Sequence, residues 1–200
     1  MRVLISGFMP FGGRTLNPTA MIIDALEAGE ISHPESMKIE QILLPVTFME
    51  SFEVLQKKIR EFNPDVIICF GQAAGRDAIN LESVALNILD ADIPDNLGEM
   101  PQKQMINHLG KQSYLSTLPL FGIEGALKDN KISVKISNSA GTYVCNYLFY
   151  RLMETNQDTL RLCGFIHVPL LPEQAKEGEP TMSLDELKKA VMVILNYINY

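Results

Sequence analysis

The 200-residue chain has no tryptophan, only three cysteines and three histidines, and a shortage of positive charge: 17 Lys and Arg stand against 24 Asp and Glu, a formal net charge of −7. Each shortage excludes something. A net acidic chain lacks the basic face that a nucleic-acid partner needs. No apolar run approaches the roughly 18 residues of a membrane span. The opening MRVLISGFMPFGG has too short an apolar stretch, and no small-residue cleavage site, to read as a secretory signal. Cys69, Cys145 and Cys163 are odd in number and form no CxxC pair, which suits free thiols in a reducing cytoplasm better than a disulfide framework. A cytoplasmic location is therefore expected. None of His33, His108 and His167 stands at a metal-ligand spacing, so no metal site is expected.

What is present is ordinary globular composition, 46% hydrophobic and 20% charged, at a length that buries one sizeable core. Residues 1–200 are read as one domain. Apolar runs rich in β-branched residues alternate with helical-period stretches. Strands are expected at 2–8, 37–46, 65–71, 84–93, 131–137 and 160–170. Helices are expected at 17–28, where Asn17 caps and Pro18 fits the first position, at 48–62, at 119–130, from about Thr142 onward, and at 183–200, where Ser183 and Glu186 form a capping box. Residues 94–118 have few periodic apolar positions and read as a long loop or arm. The alternation implies a three-layer α/β/α domain around a mostly parallel or mixed sheet, with ligands gathering at strand ends.

Several chemically capable residues fall at those ends. Cys145 lies in the first turn of an expected helix, where free N–H groups and the dipole favour an anion; equally, a lone cysteine packs well as a small hydrophobe. His167, in GFIHVPLLPEQ, closes a strand, a usual place for a general base and also for a hydrogen-bonded surface histidine. Glu82 follows GQAAGRDAINL and could orient an imidazole, or be one more surface acid. His33 and His108 read as solvated, and Cys69 and Cys163, inside apolar strands, as structural. The glycine-rich FMPFGG and GQAAG match neither GxxxxGK[ST] nor GxGxxG.

Seven stretches in order, GFMPFGG with NPT after it, LPV, PDVIICFGQAAGR, ESVALNILDADIPDN, STLP, SNSAGTYVCN and GFIHVPLLPEQ, resemble the pyroglutamyl peptidase type I family of cysteine peptidases. The resemblance implies an enzyme that removes N-terminal pyroglutamate from peptides, with Cys145 as nucleophile, His167 as base and Glu82 as third catalytic residue. It implies a pyroglutamyl slot of Phe8, Phe11, Thr47, Ile93, Tyr143 and Val144, with Asn17 and Gln72 as polar contacts. No cofactor is implied, and a homotetramer is.

Three positions depart from the family pattern. Asp92, in DADIPDN, stands where an arginine is expected; Ser83 replaces a basic residue; Tyr143 replaces phenylalanine and adds a hydroxyl to the slot. If Asp92 lies near the thiol, its carboxylate raises the thiol pKa. That departure opens an alternative, a weakened homologue that binds pyroglutamyl or related peptides without efficient turnover.

Overall fold

The apolar run RVLISGF folds as strand β1 (Arg2–Phe8) in a computed structural model that describes residues 1–199. Asn17 then starts helix α1 (Pro18–Glu27): its Oδ1 accepts the Thr19 N–H at 3.0 Å, and Pro18 occupies the first position, where no N–H is needed. Strand β2 (Lys38–Leu44) follows. Helix α2 (Phe48–Phe62) buries Phe48, Phe52, Leu55, Ile59 and Phe62 at three- and four-residue spacing, and ends at Asn63 in the left-handed region, φ 46°. Its first N–H is capped from far along the chain, by Asp95 Oδ2 at 3.0 Å from Phe48 N.

Strand β3 (Val66–Gln72) is buried throughout. After it come β4 (Ile79–Glu82), β5 (Val84–Leu86), β6 (Ser113–Leu115), helix α3 (Leu120–Asp129), β7 (Val134–Ser137), helix α4 (Val144–Asn156), β8 (Leu162–Val168), a single 3-10 turn at Pro172–Gln174, and helix α5 (Leu184–Ile198). Helix α5 opens on the expected capping box, the Ser183 Oγ accepting from Glu186 N. No helix among the described residues is long and apolar enough to cross a membrane.

The main sheet runs β2–β1–β3–β8–β4–β7. Its pairings are parallel except β4 against β8, so the sheet is mixed. Side chains of a strand alternate between faces, and the two faces carry separate cores. Val3, Ile5, Val66, Ile68 and Ile166 pack against α1, α3 and α5; Leu4, Phe8, Ile67, Cys69 and Phe165 pack against α2 and α4. The result is a single α/β/α domain.

Three elements, β4, β5 and β6, differ from the sequence reading. The strand expected over 84–93 shrinks to Val84–Leu86, because beyond it the backbone bonds to a loop: Asn87 N to Gln112 O, and Leu89 N to Gln104 O. That loop includes β6, which pairs antiparallel with β5. Strand β4, by contrast, was not expected: INLE falls within a stretch read as a loop.

The sheet order also places the cleft. From β1 the chain goes outward to β2 and then returns past β1 to β3, with α1 on one face and α2 on the other. Ligands of open α/β sheets bind outside the carboxyl ends of strands at such a reversal. Phe8 and Gln72 are the last residues of β1 and β3.

Candidate active site

A cleft of about 290 Å³ opens at these strand ends, with both Phe8 and Gln72 in its wall. Cys145 and His167 line it together. Cys145 is the second residue of α4, whose N-cap, Tyr143, supplies no side-chain acceptor. The early N–H groups of this helix therefore keep their donor capacity, beside the sulfur.

His167 reaches the same place from the sheet. It pairs with Gly71 across β3 and β8, so the two share a face about 4.8 Å apart. Gly71 has no side chain, and Cys145 Sγ fills that space: a Cβ built on Gly71 would stand 2.9 Å from the sulfur and 2.7 Å from the Phe165 ring. No hydrogen bond joins Sγ to the imidazole among the described residues. The thiol and the ring are neighbours above one glycine.

Glu82 is positioned by the antiparallel pairing. It stands opposite Phe165 while Asn80 stands opposite His167, so Glu82 and His167 are diagonal neighbours on one face. Glu82 Oε1 lies 2.8 Å from His167 Nδ1 and 3.1 Å from Arg76 Nη1. The Glu82 side chain is fully buried, and its Oε2 has no hydrogen-bond partner. A buried carboxylate is costly unless it is paired, and both partners converge on a single oxygen. Arg76 is itself fixed by Ser137 Oγ at 3.1 Å and the Ser139 carbonyl at 3.0 Å.

Burial pushes the Cys145 thiol up to about 12; the Glu82 carboxylate and the neighbouring Cys69 thiol push the same way, and Arg76 opposes them. Asp92 is exposed and is not one of the groups acting on the thiol. The carboxylate that disfavours the thiolate is Glu82.

Of the other anticipated residues, Phe8, Phe11, Asn17, Gln72, Tyr143 and Val144 line the cleft. Thr47 and Ile93 do not. Thr47 is buried at the N-cap of α2, and Ile93 is 45% exposed just before the arm. The Tyr143 hydroxyl donates to the Pro94 carbonyl at 3.0 Å, which takes it out of the slot and ties the arm to the cleft wall. Its ring faces Phe11, with centroids 6.2 Å apart, and meets Phe48 edge-on at 5.4 Å. Ser83 donates to Asn138 Oδ1 at 2.7 Å. The Asn17 amide is largely occupied by its own neighbourhood: Oδ1 accepts from Thr19 N and Oγ1, and Nδ2 donates one hydrogen to the Met9 carbonyl.

The cleft also contains residues that the sequence reading did not select. Val46, Ala73, Ala74, Ala140 and Gly141 are small or apolar and give no chemical signal. Arg76 could have been found, as the only charged residue of GQAAGR at the end of β3.

A buried carboxylate–imidazole pair and a thiol at a helix start, gathered in a cleft at the carboxyl ends of an α/β sheet, define a cysteine peptidase type of site. The family model described as pyroglutamyl peptidase matches residues 1–199. The chain is 40% identical over 194 residues to the pyrrolidone-carboxylate peptidase of Vibrio campbellii, covering 96% of this chain and 90% of that one. It is 39% identical over 202 residues to pyrrolidone-carboxylate peptidase 1 of Caldanaerobacter subterraneus, covering 99% and 98%. Its fold superimposes on the crystal structure of Bacillus amyloliquefaciens pyroglutamyl peptidase I with a TM-score of 0.92 at 37% identity, covering 100% of this chain and 97% of that chain. The Pyrococcus furiosus pyrrolidone carboxyl peptidase gives 0.91 at 37% identity, covering 98% and 96%. The chain belongs to the pyroglutamyl peptidase family of cysteine peptidases.

Proposed function

We propose that this protein removes N-terminal pyroglutamate from peptides, with Cys145 as nucleophile, His167 as general base and then acid, and Glu82 as the residue that orients the ring. The observation that carries the reading is the sharing of one cleft by Cys145 and His167, with the ring held 2.8 Å from a fully buried carboxylate.

The thiol is held protonated by its surroundings. The proton leaves as the bond forms: His167 takes it while Sγ attacks the exocyclic carbonyl of the pyroglutamyl residue. Charge accumulates on that carbonyl oxygen, and the Cys145 backbone N–H at the start of α4 is placed to receive it. Glu82 stabilises the imidazolium formed at the same moment. The C–N bond then breaks, the peptide amine leaving with the proton from His167. Water, deprotonated by the same ring, hydrolyses the thioester and restores the thiol. Thiol, imidazole and water complete the cycle without a cofactor.

The lining fits the acyl group. Phe8, Phe11, Val46, Tyr143 and Val144 give mostly apolar walls, suited to a compact uncharged lactam with a few polar contacts. An open N-terminal glutamine or glutamate would bring an ammonium into that apolar slot with poor solvation. A cytoplasmic location and a homotetramer belong to the same reading. Leu115 and Phe121, 71% and 84% exposed, line one groove and offer apolar surface for association.

The test is release of fluorophore from a pyroglutamyl aminomethylcoumarin amide, with sedimentation velocity reporting assembly. Wild type is expected to release it, and Cys145→Ser to lose turnover by about four orders of magnitude or more. Full turnover by Cys145→Ser would remove the nucleophile assignment, and a silent wild type would remove the peptidase reading.

A further inference from the structure

We propose that Gln174 sets the hydrogen-bonding sense of the cleft by fixing which end of the Gln72 amide faces the substrate. The proposal deepens the peptidase reading and rests on it for the identity of the ligand.

The two ends of a glutamine amide have nearly the same shape, so orientation must be decided by partners of unambiguous chemistry. Gln174, in the 3-10 turn after β8, has two such partners. The backbone N–H of Leu171 can only donate, and it meets Gln174 Oε1 at 3.0 Å. The backbone carbonyl of Leu16 can only accept, and it meets Gln174 Nε2 at 2.9 Å. Oxygen and nitrogen of Gln174 are thereby assigned.

The second Nε2 hydrogen then requires an acceptor, and Gln72 provides Oε1 at 2.9 Å. With Oε1 turned to Gln174, the NH2 group is the end of the Gln72 amide left toward the cleft it lines. The slot therefore presents a donor at this point. A donor is matched by the ring carbonyl of a lactam and mismatched by a ring N–H or CH2. Asn17, the other amide in the wall, has its oxygen turned to Thr19 and one N–H to the Met9 carbonyl, so the two amides offer the cleft one N–H of Asn17 and the NH2 of Gln72. Gln174 acts through Gln72 and is a positioning residue.

Replacing Gln174 by Glu reverses the chain of partners. A carboxylate still accepts from Leu171 N, but its other oxygen can only accept from Gln72. The Gln72 NH2 then turns toward position 174 and its oxygen toward the cleft. Three neutral aminomethylcoumarin amides separate the cases: pyroglutamyl; 3-oxocyclopentanecarbonyl, which keeps the ring carbonyl and lacks the N–H; and cyclopentanecarbonyl, which lacks both. Wild type is expected to favour the first two over the third by about tenfold or more in kcat/KM, the value of one hydrogen bond in a desolvated site. Gln174→Glu is expected to raise KM for the pyroglutamyl amide about tenfold, with kcat changed far less because the contact is remote from the reacting carbonyl, and to lose the preference for a ring carbonyl. Gln72→Met, which removes the donor at nearly constant volume, is expected to lose it too.

Calorimetric titration of Cys145→Ala protein, with and without Gln174→Glu, by the three corresponding primary amides reads the same preference without turnover. A silent wild type would overturn the peptidase reading and leave this binding preference to decide on Gln174. Unchanged discrimination in folded Gln174→Glu protein, checked by its melting temperature, would overturn the proposal. If Gln174→Glu does not fold, Gln72→Met decides: retained preference for the ring carbonyl overturns the proposal, and its loss supports it.

Discussion

Cys145 Sγ lies directly over Gly71, at a distance where a methyl group on that glycine would stand 2.9 Å from the sulfur. The contact exists because the residue opposite His167 on β3 has no side chain. A Gly71→Ala protein must move both the sulfur and the Phe165 ring, which would stand 2.7 Å from the added carbon. The expected cost is about 1–3 kcal/mol of stability from overpacking, read as a lower melting temperature. Turnover of a pyroglutamyl amide is expected to fall further than stability alone accounts for. Wild-type turnover in the alanine variant would show that the sulfur need not occupy this position.

Replacing Glu82 by Gln is expected to move two readouts in opposite directions. The Glu82 carboxylate contributes to the raised thiol pKa, so its loss lowers that pKa and speeds alkylation of Cys145 by iodoacetamide at a given pH. The same change removes the negative charge that holds and stabilises His167, so kcat is expected to fall by about two to four orders of magnitude. A variant with both a faster-reacting thiol and undiminished kcat would show that Glu82 does not serve the ring.

Stability is expected to decline in alkali through the buried thiols. Burial pushes Cys69 and Cys163 up to about 12 each, and both are fully buried. In the native state they keep their protons up to that pH, whereas the unfolded chain releases them near the ordinary value of about 8.5–9. Between about pH 9 and 12 the unfolded state thus binds fewer protons, and stability falls as pH rises, by about 1.4 kcal/mol per pH unit for each thiol. Denaturant titrations from pH 8 to 11 should show a shallower decline for Cys69→Ala than for wild type; parallel curves would contradict the assignment.

Asp92→Arg is expected to leave the pH dependence of Cys145 alkylation unchanged, since Asp92 is exposed and absent from the charges acting on the thiol. A clear displacement of that profile would mean that the segment carrying residue 92 comes within reach of the sulfur in solution, and would favour the reading of a site weakened at this position.

Long periodic segments were legible in the sequence because their pattern and their burial coincide. Helix α2 occupies the expected residues, and β1 and the Ser183–Glu186 box of α5 are where composition and capping chemistry place them. Strand β4 was not legible. Four residues, Ile79, Asn80, Leu81 and Glu82, are too short for alternation to stand out, and the strand's polar members face the site rather than solvent. The sequence resemblance singled out Cys145, His167 and Glu82, but not what holds them. Only the folded chain shows that Arg76 meets Glu82 and that Gln174 meets Gln72. The sign of the effect on the thiol was likewise illegible, because it depends on how deeply the sulfur is buried.

The short strand β4 has a consequence for how the gene can change. Its side chains point alternately to the two layers, Ile79 and Leu81 into one and Asn80 and Glu82 toward the other. Exchanging one amino acid for another between Arg76 and Glu82 keeps this parity, but inserting or deleting a single residue there inverts it. Such a frame-preserving change would rotate the carboxylate in among hydrocarbon and strand the imidazole without a counter-charge. The spacing of this segment is therefore expected to tolerate indels far less well than the exposed arm at 96–100.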